Sequence, residues 1–118
     1  MVGGFVAGTL DGLYSVSFSS GGGDFGTGVV IITNGKVYGG DNRYYYRGSI
    51  QGAPDGLSGT LEVVHHQGER ASVFGPGLDR FHLEFKGTTF KTSLNLEGRM
   101  VGSPEKKLTV NCRRVADL

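Results

Sequence analysis

Tryptophan is absent from this 118-residue sequence, proline occurs three times and cysteine once. The lone cysteine, Cys112, excludes an intrachain disulfide and leaves no paired Cys/His spacing for a metal, so no metal or cofactor is expected. Charge of one sign is lacking as well. Twelve Lys and Arg face eleven Asp and Glu, a formal net charge of +1, and such a balance provides no global field to gather nucleic acid. The basic pairs Lys106-Lys107 and Arg113-Arg114 are short, and neighbours on a strand point to opposite faces, which splits each pair. Long apolar runs are missing too: none approaches the roughly 18 residues of a membrane helix. Met1 to Leu10 is apolar and glycine-rich but carries no Lys or Arg, a poor match to a secretory signal. A cytoplasmic protein with no membrane association is the expectation.

Glycine is what the sequence has in excess, 22 residues without a collagen period. The glycines fall singly or in short clusters between apolar runs, as turns between many short strands do. Seven turn signals leave eight strand-like pieces: 13–19, 28–33, 36–38, 43–51, 57–66, 81–86, 89–97 and 107–114. Asn34-Gly35 is the strongest hairpin signal, since both residue types tolerate the positive φ of a type I′ turn. Ala53-Pro54-Asp55-Gly56 is a turn with a mechanism: Pro presets φ, Asp accepts a local hydrogen bond and Gly supplies the open backbone. The connection 67–79 is the longest and the best place for a helical turn or a function.

Alternation is clearest near the C-terminus. Phe81, Leu83 and Phe85 oppose His82, Glu84 and Lys86. Leu108, Val110 and Cys112 oppose Thr109, Asn111 and Arg113. Phe90, Leu94 and Leu96 are expected to share a face. Period two with one polar side means antiparallel strands that are dry on one face and wet on the other. Short links exclude parallel crossovers. Eight consecutive strands therefore read as an all-β, up-and-down antiparallel barrel, which hides its edges by closing. Phe81, Leu83, Phe85, Leu108, Val110 and Cys112 should point into one core, and Phe85→Ala should cost about 3–5 kcal/mol if that ring is fully buried.

No motif for chemistry survives its context. Gly21-Gly22-Gly23-Asp24-Phe25-Gly26 satisfies G-x-G-x-x-G, but a strand follows where a dinucleotide site needs a helix. His65 and His66 are strand neighbours on opposite faces and cannot readily share a metal. Glu62, Glu84 and Glu97 lie in the phase opposite the apolar one, as a surface ladder does. Cys112 lies in the apolar phase, the place of a buried, inert thiol. The protein is therefore not expected to be an enzyme. Tyr44 and Tyr46 share a strand face and are the candidates for lining a pocket or contact, because Tyr combines apolar area with one hydrogen bond. Val29, Val30, Ile31 and Ile32 are apolar in both phases; a barrel strand with a wet outer face should alternate, so this run is the candidate interface of a symmetric homodimer.

The ordered set Asp11-Gly12-Leu13-Tyr14-Ser15-Val16-Ser17-Phe18, Gly26-Thr27-Gly28-Val29-Val30, Asn34-Gly35-Lys36, Gly39-Gly40-Asp41 and Tyr46-Arg47-Gly48 resembles the GrlR-like family of small bacterial proteins. Ser72-Val73-Phe74-Gly75 and the ending from Leu108-Thr109-Val110 to Ala116-Asp117 extend the resemblance over residues 11–117. It implies a lipocalin-like eight-stranded barrel, usually dimeric, with a pocket. The single barrel domain is expected over residues 11–118, behind an N-terminal extension of residues 1–10 that can be partly ordered. The resemblance also implies a negative regulator that holds a helix-turn-helix activator off DNA through four consecutive carboxylates after the fourth strand. Here that region carries one carboxylate, Asp55. An exposed ion pair contributes about 0–1 kcal/mol, so tight binding of such an activator through Asp55 is not expected. Two roles follow: protein–protein contact in transcriptional or secretion control, or binding of a small apolar molecule or lipid inside the barrel. An open apolar pocket would favour the second and a packed core the first.

Overall fold

The computed structural model describes residues 10–20, 25–53, 56–72 and 74–118. Alternating sequence becomes strand throughout: β1 (Gly12–Ser20), β2 (Phe25–Thr33), β3 (Lys36–Gly40), β4 (Tyr44–Ala53), β5 (Gly56–His65), β6 (Ala71–Ser72), β7 (Gly75–Pro76), β8 (Arg80–Phe90), β9 (Ser93–Met100) and β10 (Ser103–Ala116). Eight of them close into one antiparallel barrel in the order β1-β10-β9-β8-β5-β4-β3-β2. Closure rests on β1, which pairs with β2 along one edge and with β10 along the other. Apart from the short β6–β7 hairpin between β5 and β8, each strand lies beside its sequence neighbour, an up-and-down meander.

The period of two sorts every strand into an inner and an outer row. Inside lie Tyr14 and Val16 of β1, Val30 and Ile32 of β2, Val63 of β5, Phe81 and Leu83 of β8, and Leu108 and Cys112 of β10, all buried. Phe85 and Val110 also face this core but are only partly buried. The cost expected of a fully buried ring at position 85 does not apply. Asn34 and Gly35 both take positive φ in the β2–β3 hairpin, as a type I′ turn requires.

Three expectations need correction. Phe90 is 65% exposed and does not share the inner face of Leu94 and Leu96. The chain reverses at Lys91-Thr92, where Lys91 takes a positive φ, and Phe90 pairs with Ser93, so alternation does not run through from 90 to 94. The 67–79 connection contains the β6–β7 hairpin rather than a helical turn. Many glycines lie within strands and not in turns. At Gly48 and Gly87 a Cβ would strike the carbonyl oxygen of Thr60 or Asn95 on the neighbouring strand, so glycine lets strongly coiled strands approach. Leu10, the last residue of the N-terminal extension, joins the core: it is buried under the barrel end, where its carbonyl accepts a 2.8 Å hydrogen bond from Tyr14 Oη.

Ile31 and Ile32 test this sorting directly. Ile32 is 2% exposed inside the barrel and Ile31 is 40% exposed outside it. Urea unfolding of Ile32→Ala should show a loss of about 3 kcal/mol, and Ile31→Ala a change of no more than about 0.5 kcal/mol in the monomer. Equal losses would mean that the strand phase is wrong.

Candidate functional site: the barrel cavity

The two barrel ends are built differently. At one, the Asn34-Gly35 and Lys91-Thr92 turns meet the segment around Leu10. Asp11 Oδ1 accepts from Asn34 N at 2.9 Å, and the Arg114 guanidinium donates to the Asp11 carbonyl. Leu10 and Tyr14 fill that end. The opposite end carries the Asp41–Arg43 turn and the long connection with its hairpin. That connection is fastened to the turn by backbone and side chain: His66 N donates to Arg43 O at 2.8 Å and Gln67 Nε2 to Asn42 O at 3.2 Å, while His66 Nε2 lies 3.0 Å from Asp41 O. Arg70 and Asp79 pair at 2.8 Å across the base of the hairpin.

Between the ends lies a cavity of about 530 Å³. Exposed residues at the second end, Phe25, Thr27 and Asn42, border it, so it reaches the surface there. Its deeper walls are aliphatic and aromatic side chains from all eight barrel strands, among them Ile32, Ile50, Leu94 and Cys112. Gly98 of β9 also borders it. That residue sits in the inner phase between Leu96 and Met100, and a Cβ there would meet nothing nearer than 3.8 Å.

Tyr44 and Tyr46 both line the cavity, as their shared strand face implies. Tyr44 Oη donates to Leu78 O at 2.6 Å, tying the long connection to β4. Its ring is 6.2 Å from Phe81, which in turn meets Phe74 edge-on at 5.5 Å. Tyr46 Oη donates to Asp41 Oδ2, and its ring meets Phe18 edge-on at 6.4 Å. Gly28 makes room for this phenol, because a Cβ there would come within 3.1 Å of Tyr46 Oη and 2.9 Å of Gly40 O. The other Asp41 oxygen, Oδ1, accepts from Arg43 N and Tyr44 N at 2.8 Å each. One carboxylate thus fixes the turn and reaches the inner wall.

Sequence reasoning missed two of these residues. From the sequence Asp41 is a turn residue alone; the missed signal is an Asx turn three residues before a strand whose inner face carries tyrosines. Gly98 breaks an otherwise bulky inner row, Leu94, Leu96 and Met100, and that gap was the available signal. Of the candidate interface, Val30 and Ile32 are core residues, so they leave an outer surface only to Val29 and Ile31. Asp55 lies outside the described residues. Glu62 stands on the outer surface among Arg47 (3.1 Å), His82 (3.6 Å) and Arg80 (3.7 Å), a charge cluster away from the cavity. Among the described residues no three His, Cys, Asp or Glu side chains gather as a metal set. No helix there is long and apolar enough to cross a membrane. No protein-family model matches the sequence, and no characterised protein matches it.

Burial pushes the Cys112 thiol from 9.0 up to about 12. Burial, reinforced by the hydrogen bond to Asp41, raises the Tyr46 phenol above 10.0. A raised pKa in the folded state contributes stability that is complete below the unfolded value and is lost as pH rises through the folded one. For Cys112 that window runs from 9.0 to about 12; for Tyr46 it opens at 10.0 and extends upward. Melting temperatures should therefore fall once the pH passes 9.0. Cys112→Val, of similar volume and non-titrating, should flatten the first part of that fall and Tyr46→Phe the later part. A thermal scan in which both variants track the wild type at every pH would remove these groups as the cause.

Proposed function

We propose that this protein is a non-enzymatic binding barrel whose cavity holds a small, largely apolar molecule. The observation that carries the reading is the cavity itself, about 530 Å³, apolar in depth with a few polar groups at one mouth. That is the size and chemistry of ligand sites, which run from about 300 to 1,000 Å³. An eight-stranded barrel has an interior that side chains can just fill, and this chain places glycine in the inner row at position 98, where a Cβ would make only ordinary contacts, the nearest at 3.8 Å.

Gly98→Leu tests this. The variant should fold, since a Cβ at position 98 comes no nearer than 3.8 Å to any neighbour, and lose binding of a small neutral fluorescent probe such as N-phenyl-1-naphthylamine by about tenfold or more. Undiminished probe binding by the folded variant would place the probe elsewhere and count against the cavity.

A second reading has its own support on the outer wall. Val29, Ile31 and Tyr38 are 52%, 40% and 47% exposed, and Ile31 pairs with Tyr38 across β2 and β3. An outer barrel face that is apolar over neighbouring strands calls for a cover, and a second copy of this chain is the cover proposed. A GrlR-type role in transcriptional or secretion control would then act through the surface of that homodimer. Sedimentation at micromolar concentration should give a dimer that Ile31→Glu converts to monomer. A wild-type monomer would remove this reading without touching the cavity.

A further inference from the structure

The two phenols and the carboxylate at the mouth are committed in one direction. Tyr44 Oη spends its proton on Leu78 O, and Tyr46 Oη spends its proton on Asp41 Oδ2. Both phenols therefore offer the cavity only acceptor lone pairs. The N–H groups of Arg43 and Tyr44 are consumed by Asp41 Oδ1. Asp41 is a carboxylate with about four acceptor positions; three donors occupy it, and Oδ2 keeps room for one more. Arg43, Asn42, Thr27 and Ser72 also line the cavity, and the Arg43 stem packs toward the long connection, 3.7 Å from where a Cβ of Gly68 would stand. The deep walls offer no charged side chain.

We propose that the cavity selects an amphiphile with an aliphatic body and a hydrogen-bond-donating head, best an alkylammonium, seated on the Asp41–Tyr46 pair. This rests on the cavity reading above and adds the class of ligand. The head meets one formal charge and the phenol oxygen beside it, and a charge-assisted bond from a protonated amine is the strongest that such a pair accepts. The tail meets only apolar wall. At roughly 30 Å³ per non-hydrogen atom, the share of one water in its liquid, the volume admits fewer than about 18 such atoms, which a ten-carbon chain with a head satisfies. An anionic head seated on the same pair would lie against the Asp41 charge, and that repulsion is what discriminates.

The test is a matched series, decylamine, decanol and decanoate, each below its micellar concentration and measured by calorimetry and by displacement of the apolar fluorophore. The amine should bind tightest, the alcohol about tenfold more weakly and the carboxylate weakest. Asp41→Asn should abolish the preference for the amine. Tyr46→Phe, which removes the phenol oxygen from the seat and leaves the carboxylate, should weaken the amine yet leave it tighter than decanoate. Equal affinity for the three heads, or decanoate binding tightest, overturns the inference on the wild type alone, whether or not Asp41→Asn folds. In that case the cavity reading stands if Gly98→Leu still excludes the fluorophore. If neither the series nor the fluorophore binds, both readings fall.

Discussion

Closure of the sheet through β1 is the constraint on which everything else depends. With β1 paired to β2 on one side and β10 on the other, no edge strand is left open and every residue must choose between the inside and the outside. A single slip in register would exchange the two sets. It would send Val16, Val30 and Leu108 to solvent and bring Ser15, Val29 and Thr109 inward. The interior is also narrow. Eight strands leave room for one layer of side chains, so the size of each inner residue decides whether the middle is packed or empty. Gly48 and Gly87, where neighbouring backbones come too close for a Cβ, show how tightly the strands coil to close the ring. Gly98, where a Cβ would make only ordinary contacts, shows a different use of the same residue.

Much of this was legible in the sequence, for a definite reason. The all-β barrel followed from alternation that is local and physically coupled to burial: Phe81 and Leu83, then Leu108 and Cys112, keep their phase over a whole strand. The Asn34-Gly35 hairpin was legible because few residue pairs tolerate two positive φ angles in succession. Where reading failed, the missing information was not local. The turn at Lys91-Thr92 has no glycine to announce it, and the alternation around Phe90 looks continuous across it. The run from Val29 to Ile32 shows no alternation, so the sequence does not reveal that Val30 and Ile32 face the core while Val29 and Ile31 do not.

The cavity was less legible still. That Tyr44 and Tyr46 share a face is a matter of counting, and both indeed line the interior. Their hydrogen bonds run to Leu78, thirty-four positions away, and to Asp41, five away across a turn. The first separation has no pattern that sequence alone could read, and the second is hinted at only by the Asx turn at Asp41. Emptiness is harder again to foresee, because it depends on the sum of side chains contributed by eight strands. A single small inner residue, Gly98, changes that sum locally; the gap it leaves between Leu96 and Met100 can be counted in the sequence, but what faces that gap cannot.

Both ends of the barrel use tyrosine, and the comparison separates closure from recognition. At the filled end Tyr14 donates to the Leu10 carbonyl, and at the open end Tyr44 donates to the Leu78 carbonyl. In each case a ring packs inside while its hydroxyl ties down a segment that belongs to no barrel strand, using a neutral backbone acceptor. Tyr46 departs from this pattern: its acceptor is the Asp41 carboxylate. A neutral acceptor would satisfy a buried phenol equally well, and a charge beside an apolar cavity carries a desolvation cost that a carbonyl does not. The turn alone does not need that charge either, since an Asn side-chain oxygen accepts the same two backbone N–H groups. What a carboxylate adds beyond both duties is a negative charge and a spare acceptor directed at the cavity mouth. That surplus distinguishes the open end from the filled one, and it is why the polar chemistry of the site is assigned to Asp41 rather than to the tyrosines that first drew attention to it.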